Sequence, residues 1–134
     1  MIKLKQILLE NTAPNIFIPR RMENRLDKYI RLYIKNGSKG TLNLQHSNLT
    51  VLPEMLKDIK VDGDFYCGNN NLTSLENCPK TVSGDFGCSR NELTSLEGAP
   101  ETVGGDFYCL GYGKGKFTEK DIRAVCDVKG DVYL

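Results

Sequence analysis

The feature that most constrains the fold is a 21-residue self-copy in the middle of the chain. The stretch GDFYCGNNNLTSLENCPKTVS is followed at once by GDFGCSRNELTSLEGAPETVG, and GDFYC then begins a third copy. Repeats of this length predict a stacked array, because one unit is too small to bury its apolar side chains without neighbours. We therefore predict an α/β solenoid of about five short parallel strands. The strands start at five glycines: Gly40, Gly63, Gly84, Gly105 and Gly130.

The repeated strand has two chemically different faces, since side chains alternate along a strand. The predicted core face is apolar and consists of Leu42, Leu44, Phe65, Cys67, Phe86, Cys88, Phe107, Cys109, Val132 and Leu134. The opposite, concave face is predicted to bind a partner and consists of Asp64, Tyr66, Asp85, Gly87, Asp106, Tyr108, Asp131 and Tyr133. The tyrosines would anchor the partner, the aspartates would favour a basic surface, and Gly87 would leave a notch between two tyrosines. The alternative to a binding role is that the outer face is only hydrophilic, and that its aspartates recur because the repeat was duplicated.

After each strand the first three units follow the pattern Φ-x-Φ-x-x-[N/S]-x-L-x-x-L, with Ser47, Asn70 and Asn91 in the polar column. This pattern resembles the leucine-rich repeat. Residues 37–112 more closely resemble the short leucine-rich-repeat-like proteins of T4-like tailed bacteriophages. The resemblance implies a scaffold whose asparagine amides satisfy backbone groups at the turn after each strand. It also implies an accessory protein that acts on a host factor.

Two helices are predicted to flank the repeats within one domain, divided into residues 1–39, 40–112 and 113–134. The first is an N-terminal capping helix that Gly37 ends, with the apolar stripe Met22, Leu26, Tyr29, Ile30, Tyr33 and Ile34. The second lies in FTEKDIRAVCDVKG, is capped by Thr118 with Asp121 at N3, and ends at Gly130. Its predicted apolar stripe is Ile122, Val125 and Cys126. Between them Tyr112 and Lys114 break the repeat pattern, so an irregular turn is expected.

The formal net charge of +1 does not predict a polyelectrolyte partner. The charge is unevenly distributed, however, because residues 1–40 carry nine Lys or Arg against three acidic residues. The basic face of the first helix comprises Arg21, Arg25, Lys28, Arg31 and Lys35. No apolar stretch predicts a membrane span or signal peptide, so we expect the chain to stay inside a cell with five reduced cysteines. The resemblance to phage proteins implies that this cell is the host and the location its cytoplasm. Residues 1–10, MIKLKQILLE, resemble capsid-targeting peptides of T4-like phages cleaved after Glu10. That resemblance implies packaging into the virion, and the alternative is an ordinary first helix.

No combination of residues predicts catalysis, a cofactor or a metal. Cys67, Cys88 and Cys109 recur every 21 residues but lack the C-x-x-C or Cys/His spacing of a zinc site, so they are interpreted as small core residues. His46 has no nucleophile partner in a recognisable motif. The lysines and glycines of GGDFYCLGYGKGK lack the spacing of a phosphate-binding loop.

The sequence thus predicts a non-catalytic protein-protein interaction module, a phage accessory protein that binds a host or phage protein and inhibits, for example, a host-defence factor. One alternative is a nucleic-acid-binding protein that uses the basic face, and another is an internal virion protein. A homodimer through the edge strand Gly130–Leu134 is a further hypothesis, because an edge strand without an internal Pro or Lys can pair with another chain.

Overall fold

The structure, a computed structural model, describes residues 24–111 and 116–134. Several sequence-based predictions fall outside these residues: the targeting peptide at residues 1–10, Arg21, Met22, Tyr112 and Lys114. The described part of the chain is a mixed α/β fold with two helices, α1 (Arg25–Lys35) and α2 (Glu119–Val125). Its nine strands, each two residues long, are β1 (Leu42–Asn43), β2 (Lys60–Val61), β3 (Phe65–Tyr66), β4 (Thr81–Val82), β5 (Phe86–Gly87), β6 (Thr102–Val103), β7 (Phe107–Tyr108), β8 (Asp127–Val128) and β9 (Val132–Tyr133).

The strands form two parallel sheets, of which the sequence predicted one. The five-stranded sheet has the order β1-β3-β5-β7-β9, and its register aligns Leu42, Phe65, Phe86, Phe107 and Val132 as expected. The four-stranded sheet has the order β2-β4-β6-β8 and was missed. The predicted number of about five strands was therefore wrong, because each repeat returns through a second short strand before the next one starts.

The core is one hydrophobic cluster to which both sheets contribute. Phe65, Phe86 and Phe107 of the five-stranded sheet are fully buried. The rings of Phe65 and Phe86 stack with centroids 5.8 Å apart, and those of Phe86 and Phe107 are tilted by 49° with centroids 4.9 Å apart. A column of buried valines comes from the four-stranded sheet: Val61, Val82, Val103 and Val128. The predicted inner face is thus confirmed from Leu42 to Cys109. At the last strand it is confirmed for Val132, which is partly buried and packs against the core, but it is wrong for Leu134, which is 49% exposed.

Asparagine side chains hold the turns that follow the strands. Asn70 Oδ1 accepts hydrogen bonds from the N–H groups of Ser47 and Leu49, both at 3.0 Å. Its Nδ2 donates to the carbonyls of Leu44 and Cys67 at 2.9 and 3.0 Å. Asn91 repeats this arrangement one unit later with the N–H of Leu72 and the carbonyls of Cys67 and Cys88. Each buried amide therefore joins two consecutive repeats through their main chains.

Helix α1 begins at the N-cap Asn24, whose side chain accepts from the N–H of Asp27 at 2.7 Å. It ends before Gly37, which has a φ of +95° and follows the C-cap residue, as the sequence predicted. Ile30 and Tyr33 are buried against the core. The predicted apolar stripe fails at Tyr29, which is 41% exposed and whose hydroxyl accepts from the N–H of Asn43 at the edge of β1.

Helix α2 has the predicted capping box, in which Thr118 and Asp121 exchange side-chain-to-backbone hydrogen bonds. The predicted end at Gly130 was wrong, because the helix stops at Val125 and β8 follows it. Ile122 and Cys126 are buried, whereas Val125 is 49% exposed and does not belong to the apolar stripe.

Candidate protein-binding face

The outer face of the five-stranded sheet brings the predicted partner-binding residues together. The parallel register places Asn43, Tyr66, Gly87, Tyr108 and Tyr133 in one row across the five strands. The four aspartates each precede a strand by one residue, so they form a second row beside the first. All eight residues therefore lie on adjacent strands of one sheet.

The aspartate row has a structural role that the sequence analysis missed. Asp64 Oδ1 accepts a hydrogen bond of 2.7 Å from the N–H of Asp85, and Asp85 Oδ1 accepts one of 2.8 Å from the N–H of Asp106. Asp106 Oδ1 accepts in the same way from Asp131, also at 2.8 Å. Hydrogen bonds from a backbone N–H to a carboxylate are stronger than those between neutral groups. The row is therefore a ladder that links each repeat to the next.

The glycine before each aspartate is part of this ladder. A Cβ atom added to Gly84, Gly105 or Gly130 would overlap the Oδ1 atom of the aspartate in the preceding repeat. The same glycines approach the neighbouring backbone closely, since the N–H of Gly105 donates to the carbonyl of Gly84 at 2.8 Å. The recurring Gly-Asp pair is thus explained by two contacts with adjacent repeats. The signal in the sequence was the strict pairing of the two residues in four copies.

The space along the row of outer tyrosines is partly filled by the tyrosine rings themselves. The ring of Tyr66 lies over Gly87, where an added Cβ would stand 2.9 Å from the Cδ1 atom of Tyr66. Gly87 is consequently buried, so the predicted notch between Tyr66 and Tyr108 was wrong. The rings of Tyr108 and Tyr133 stack with centroids 4.9 Å apart and planes 9° apart. The outer face is therefore a surface with aromatic rings already packed in place, and Tyr133 is 42% exposed.

Two tyrosines of this face, Tyr66 and Tyr108, have a raised pKa. Partial burial raises the pKa of Tyr66, and the negative charges of Asp64 and Asp85 raise it further. The pKa of Tyr108 is raised by desolvation and by the charges of Asp106 and Asp85. Tyr66 Oη also lies 3.4 Å from Asp64 Oδ2, to which it donates. The hydroxyl oxygen of Tyr66 can still accept a hydrogen bond from a partner, and its ring offers apolar surface.

The basic face of α1 is present in the described residues. Arg25, Lys28, Arg31 and Lys35 are exposed on the helix, and Asp27 interrupts them in its first turn. This face lies on α1, outside the row of outer tyrosines, so a partner of α1 and a partner of the tyrosines would contact different residues. The two predicted surfaces are thus separable by mutation.

The five cysteines are buried, and none of them forms a disulfide in the described residues. Burial raises the pKa of Cys67 and Cys78, and it raises the pKa of Cys126 to about 11. The pKa of Cys88 is raised by its hydrogen bond with Cys109 and by burial. The hydrogen bond with Cys88 lowers the pKa of Cys109. The interpretation of the cysteine column as core is confirmed by its burial.

Within residues 24–111 and 116–134, no cluster of three His, Cys, Asp or Glu side chains is arranged to hold a metal ion. In the same residues, no helix has the length and apolar character needed to cross a membrane. Comparisons of the chain with protein-family models, with curated proteins and with solved structures find no match. The function is therefore inferred from the chemistry of the faces just described.

Proposed function

We propose that the chain is a leucine-rich-repeat-like solenoid that binds a protein through the outer face of its five-stranded sheet and catalyses no reaction. The solenoid assignment is supported by the two parallel sheets, to which successive repeats contribute equivalent strands in register. It is also supported by Asn70 and Asn91, whose amides connect the turns of neighbouring repeats. Repeat arrays of this kind expose one continuous sheet face, which is a common binding surface.

The observation that carries the proposal is the partly exposed row of tyrosines on the outer face of a sheet whose repeats are linked by side-chain hydrogen bonds. Tyr133 stacks on Tyr108, and Tyr66 packs on Gly87, so the rings have fixed positions before a partner arrives. A side chain that is already ordered loses little conformational entropy on binding. Tyrosine is also among the residues that dominate the energy of protein interfaces. The row therefore offers a preorganised contact area.

The aspartates determine which kind of partner fits. The carboxylates of Asp64, Asp85 and Asp106 accept backbone hydrogen bonds, which do not neutralise their negative charge. Together with Asp131 they line the tyrosine row on one side. Opposite charge on a partner raises the rate of association and favours a correct orientation. We therefore propose a partner that presents Arg or Lys next to an apolar patch.

The biological setting is proposed from the resemblance of residues 37–112 to leucine-rich-repeat-like proteins of T4-like phages. On that basis the chain is a phage accessory protein, and its partner is a host protein of the infected bacterium, such as a defence factor. The tagged full chain is used to capture proteins from infected and uninfected cells, followed by mass spectrometry. A protein enriched in both samples is expected, since a host protein is present before infection.

Two double variants then assign the surface. Tyr66→Ala with Tyr108→Ala is expected to lower the recovery of the captured protein at least about tenfold, as loss of two interface tyrosines does. Arg25→Glu with Lys28→Glu is the matched control, and it is expected to retain the partner. Both variants are checked for an unchanged melting temperature within a few degrees. Retention by the tyrosine variant and loss by the helix variant would refute the proposed face.

The second candidate function is nucleic-acid binding, which the exposed row of Arg25, Lys28, Arg31 and Lys35 favours. Contacts with phosphates make affinity fall steeply with salt. A gel-shift titration with duplex DNA and with RNA at two salt concentrations tests it. Binding that is lost at the higher salt and in the variant Arg25→Glu with Lys28→Glu would favour this candidate over the tyrosine face.

A further inference from the structure

Three cysteines form a column on the inner face of the five-stranded sheet. Cys67, Cys88 and Cys109 follow strands β3, β5 and β7 directly, and the parallel register of these strands places them side by side. Neighbouring strands lie about 4.8 Å apart. A disulfide usually joins residues whose Cα atoms are about 4.4–6.8 Å apart. Adjacent thiols of the column are therefore close enough to be joined with little movement of the main chain.

Cys88 and Cys109 are in direct contact. Their thiols are hydrogen-bonded to each other. The Sγ atom of Cys88 also lies 3.7 Å from the carbonyl oxygen of Tyr108, the residue before Cys109. Both contacts place the sulfur of Cys88 against the strand that carries Cys109.

The two thiols differ in access and in acidity. Cys88 is fully buried, whereas Cys109 is 3% exposed and is followed by Leu110, which is 40% exposed. The hydrogen bond lowers the pKa of Cys109. The same bond and burial raise the pKa of Cys88. Because the thiolate is the nucleophilic form of cysteine, Cys109 is the more reactive sulfur of the two, and Cys88 lies next to it.

We propose that Cys88 and Cys109 are a dithiol site that hydrogen peroxide oxidises reversibly to a disulfide between two consecutive repeats. In the first step the sulfur of Cys109 attacks one peroxide oxygen and the O–O bond breaks. The hydroxide that leaves takes up the thiol proton and becomes water, and Cys109 is now a sulfenic acid.

In the second step the sulfur of Cys88 attacks the sulfur of the sulfenic acid. The S–S bond forms, the S–O bond breaks, and the hydroxide that leaves takes up the proton of the Cys88 thiol as water. The two thiols thus lose two electrons in total, and one peroxide molecule is reduced to two molecules of water. A thiol reductant reverses the change by exchange with the disulfide.

Cys67 is the comparison within the same column. It lies beside Cys88 on the strand opposite to that of Cys109, in the same register. It is fully buried, and burial raises its pKa. If position in the column alone governed oxidation, Cys88 would pair with Cys67 as often as with Cys109. The proposal therefore predicts which of two equally spaced disulfides forms.

Peptide mapping of the full chain distinguishes these disulfides. The folded protein is treated with limited hydrogen peroxide, its remaining thiols are alkylated, and it is digested with trypsin without reduction. Cleavage after Arg90 separates Cys88, in peptide 81–90, from Cys109, in peptide 91–114, while Cys67 lies in peptide 61–80. We expect peptide 81–90 linked to peptide 91–114 at least about tenfold more often than to peptide 61–80. Dithiothreitol is expected to remove the link.

Single variants identify the thiol that reacts first. In Cys88→Ser the sulfenic acid on Cys109 has no neighbouring thiol to condense with, so dimedone, which traps sulfenic acids, is expected to label Cys109. In Cys109→Ser the labelling of Cys88 is expected to be at least about tenfold weaker. Cys67→Ser is the matched control from the same column, and it is expected to keep the link between Cys88 and Cys109.

The proposal is overturned if peptide 81–90 is linked to peptide 61–80 as often as to peptide 91–114. It is also overturned if the folded chain forms no disulfide at a peroxide concentration that oxidises the chain in denaturant, or if Cys88→Ser and Cys109→Ser are labelled equally. The first two outcomes come from the wild-type chain, so they decide the question even if a serine variant does not fold. Since the outer tyrosines are not altered, the result is independent of the proposed function of the sheet face.

Discussion

Residue types recur more strictly from repeat to repeat on the inner face of the five-stranded sheet than on its outer face. The difference distinguishes residues that hold the repeats together from residues at the surface. On the inner face the central repeats all place Phe and Cys, and every one of these side chains is buried. On the outer face the central row changes from Asn43 through Tyr66 and Gly87 to Tyr108. The same residue type recurs where its side chain must contact the equivalent residue of the next repeat. The residue type varies where no such contact is required.

The aspartate row shows that position on the outer face alone does not make a residue part of a binding surface. These side chains repeat as strictly as the phenylalanines because each one accepts the N–H of the next aspartate. They stabilise the stack and supply charge at the same time. The tyrosines, which vary between repeats, are the outer side chains most available to a partner.

The largest expected effect is on the inner face. Phe86 is fully buried between the rings of Phe65 and Phe107, so Phe86→Ala is expected to lower the free energy of unfolding by about 3–5 kcal/mol. Tyr133→Ala, on the exposed outer face, is the control and is expected to cost less than about 1 kcal/mol. Chemical denaturation of both variants measures the difference. Equal losses would mean that the two faces are not distinguished by packing as described.

A similar effect is expected where the main chains of two repeats meet. Asn70→Ala removes the partner of the N–H groups of Ser47 and Leu49 and of three carbonyls, and should cost about 3 kcal/mol in the free energy of unfolding. The neighbouring Asn71 is exposed and bonds only to the side chain of Asn48 and to the main chain, so Asn71→Ala is the control. A loss at position 70 as small as that at position 71 would contradict the structural role of the asparagine column.

A smaller effect is expected for the aspartate ladder, and the row contains its own control. Asp85→Ala removes the acceptor for the N–H of Asp106 and should cost about 1–2 kcal/mol. Asp131 is the last member in the described residues, so Asp131→Ala should be nearly neutral. Thermal or chemical denaturation compares the two. If Asp131→Ala destabilises as much as Asp85→Ala, the cost comes from charge and not from the ladder.

The smallest expected effect concerns the tyrosine hydroxyls at high pH. The pKa of Tyr66 in the folded chain is raised above the ordinary value of 10.0, chiefly by burial. When the pKa of a group is higher in the folded than in the unfolded chain, its contribution to stability is fully present below the unfolded pKa. The contribution is lost as the pH rises through the folded pKa. The stability advantage of the wild type over Tyr66→Phe should therefore be constant from pH 7 to 9 and shrink above pH 10. An advantage that grows above pH 10 would have the wrong sign.

Much of the five-stranded sheet could be predicted, because aligning the repeats of the sequence also gives the register of its strands. Alignment of Gly63, Gly84 and Gly105 sufficed to pair Phe65 with Phe86 and Phe86 with Phe107. The second sheet was missed although Thr81–Val82 recurs 21 residues later as Thr102–Val103, because these pairs are not flanked by the apolar-polar alternation that marks the strands of the first sheet. The ends were the least predictable, because Tyr29 and Arg123 contact the first and last repeats through interactions that no other repeat contains.

The placement of the candidate residues in the sheet was predicted, but their contacts were not. The eight residues from Asp64 to Tyr133 do lie on adjacent strands of one face, as alternation along a strand requires. The role of the aspartates depends on a hydrogen bond between repeats, and the filling of the position beside Gly87 depends on the direction of the Tyr66 ring. Neither is set by sequence spacing, so neither could be read before the structure.

Hydrogen exchange at two adjacent amides in the variant Asp64→Ala tests the aspartate ladder most directly. In the wild type the N–H of Gly84 donates to the carbonyl of Gly63 at 2.8 Å, and the N–H of Asp85 donates to Asp64 Oδ1 at 2.7 Å. The variant removes only the second acceptor. We predict that exchange at Asp85 accelerates at least about tenfold relative to exchange at Gly84, while Asp64→Asn, which keeps an oxygen acceptor, preserves most of the protection. An unchanged ratio of the two rates in Asp64→Ala would contradict the ladder.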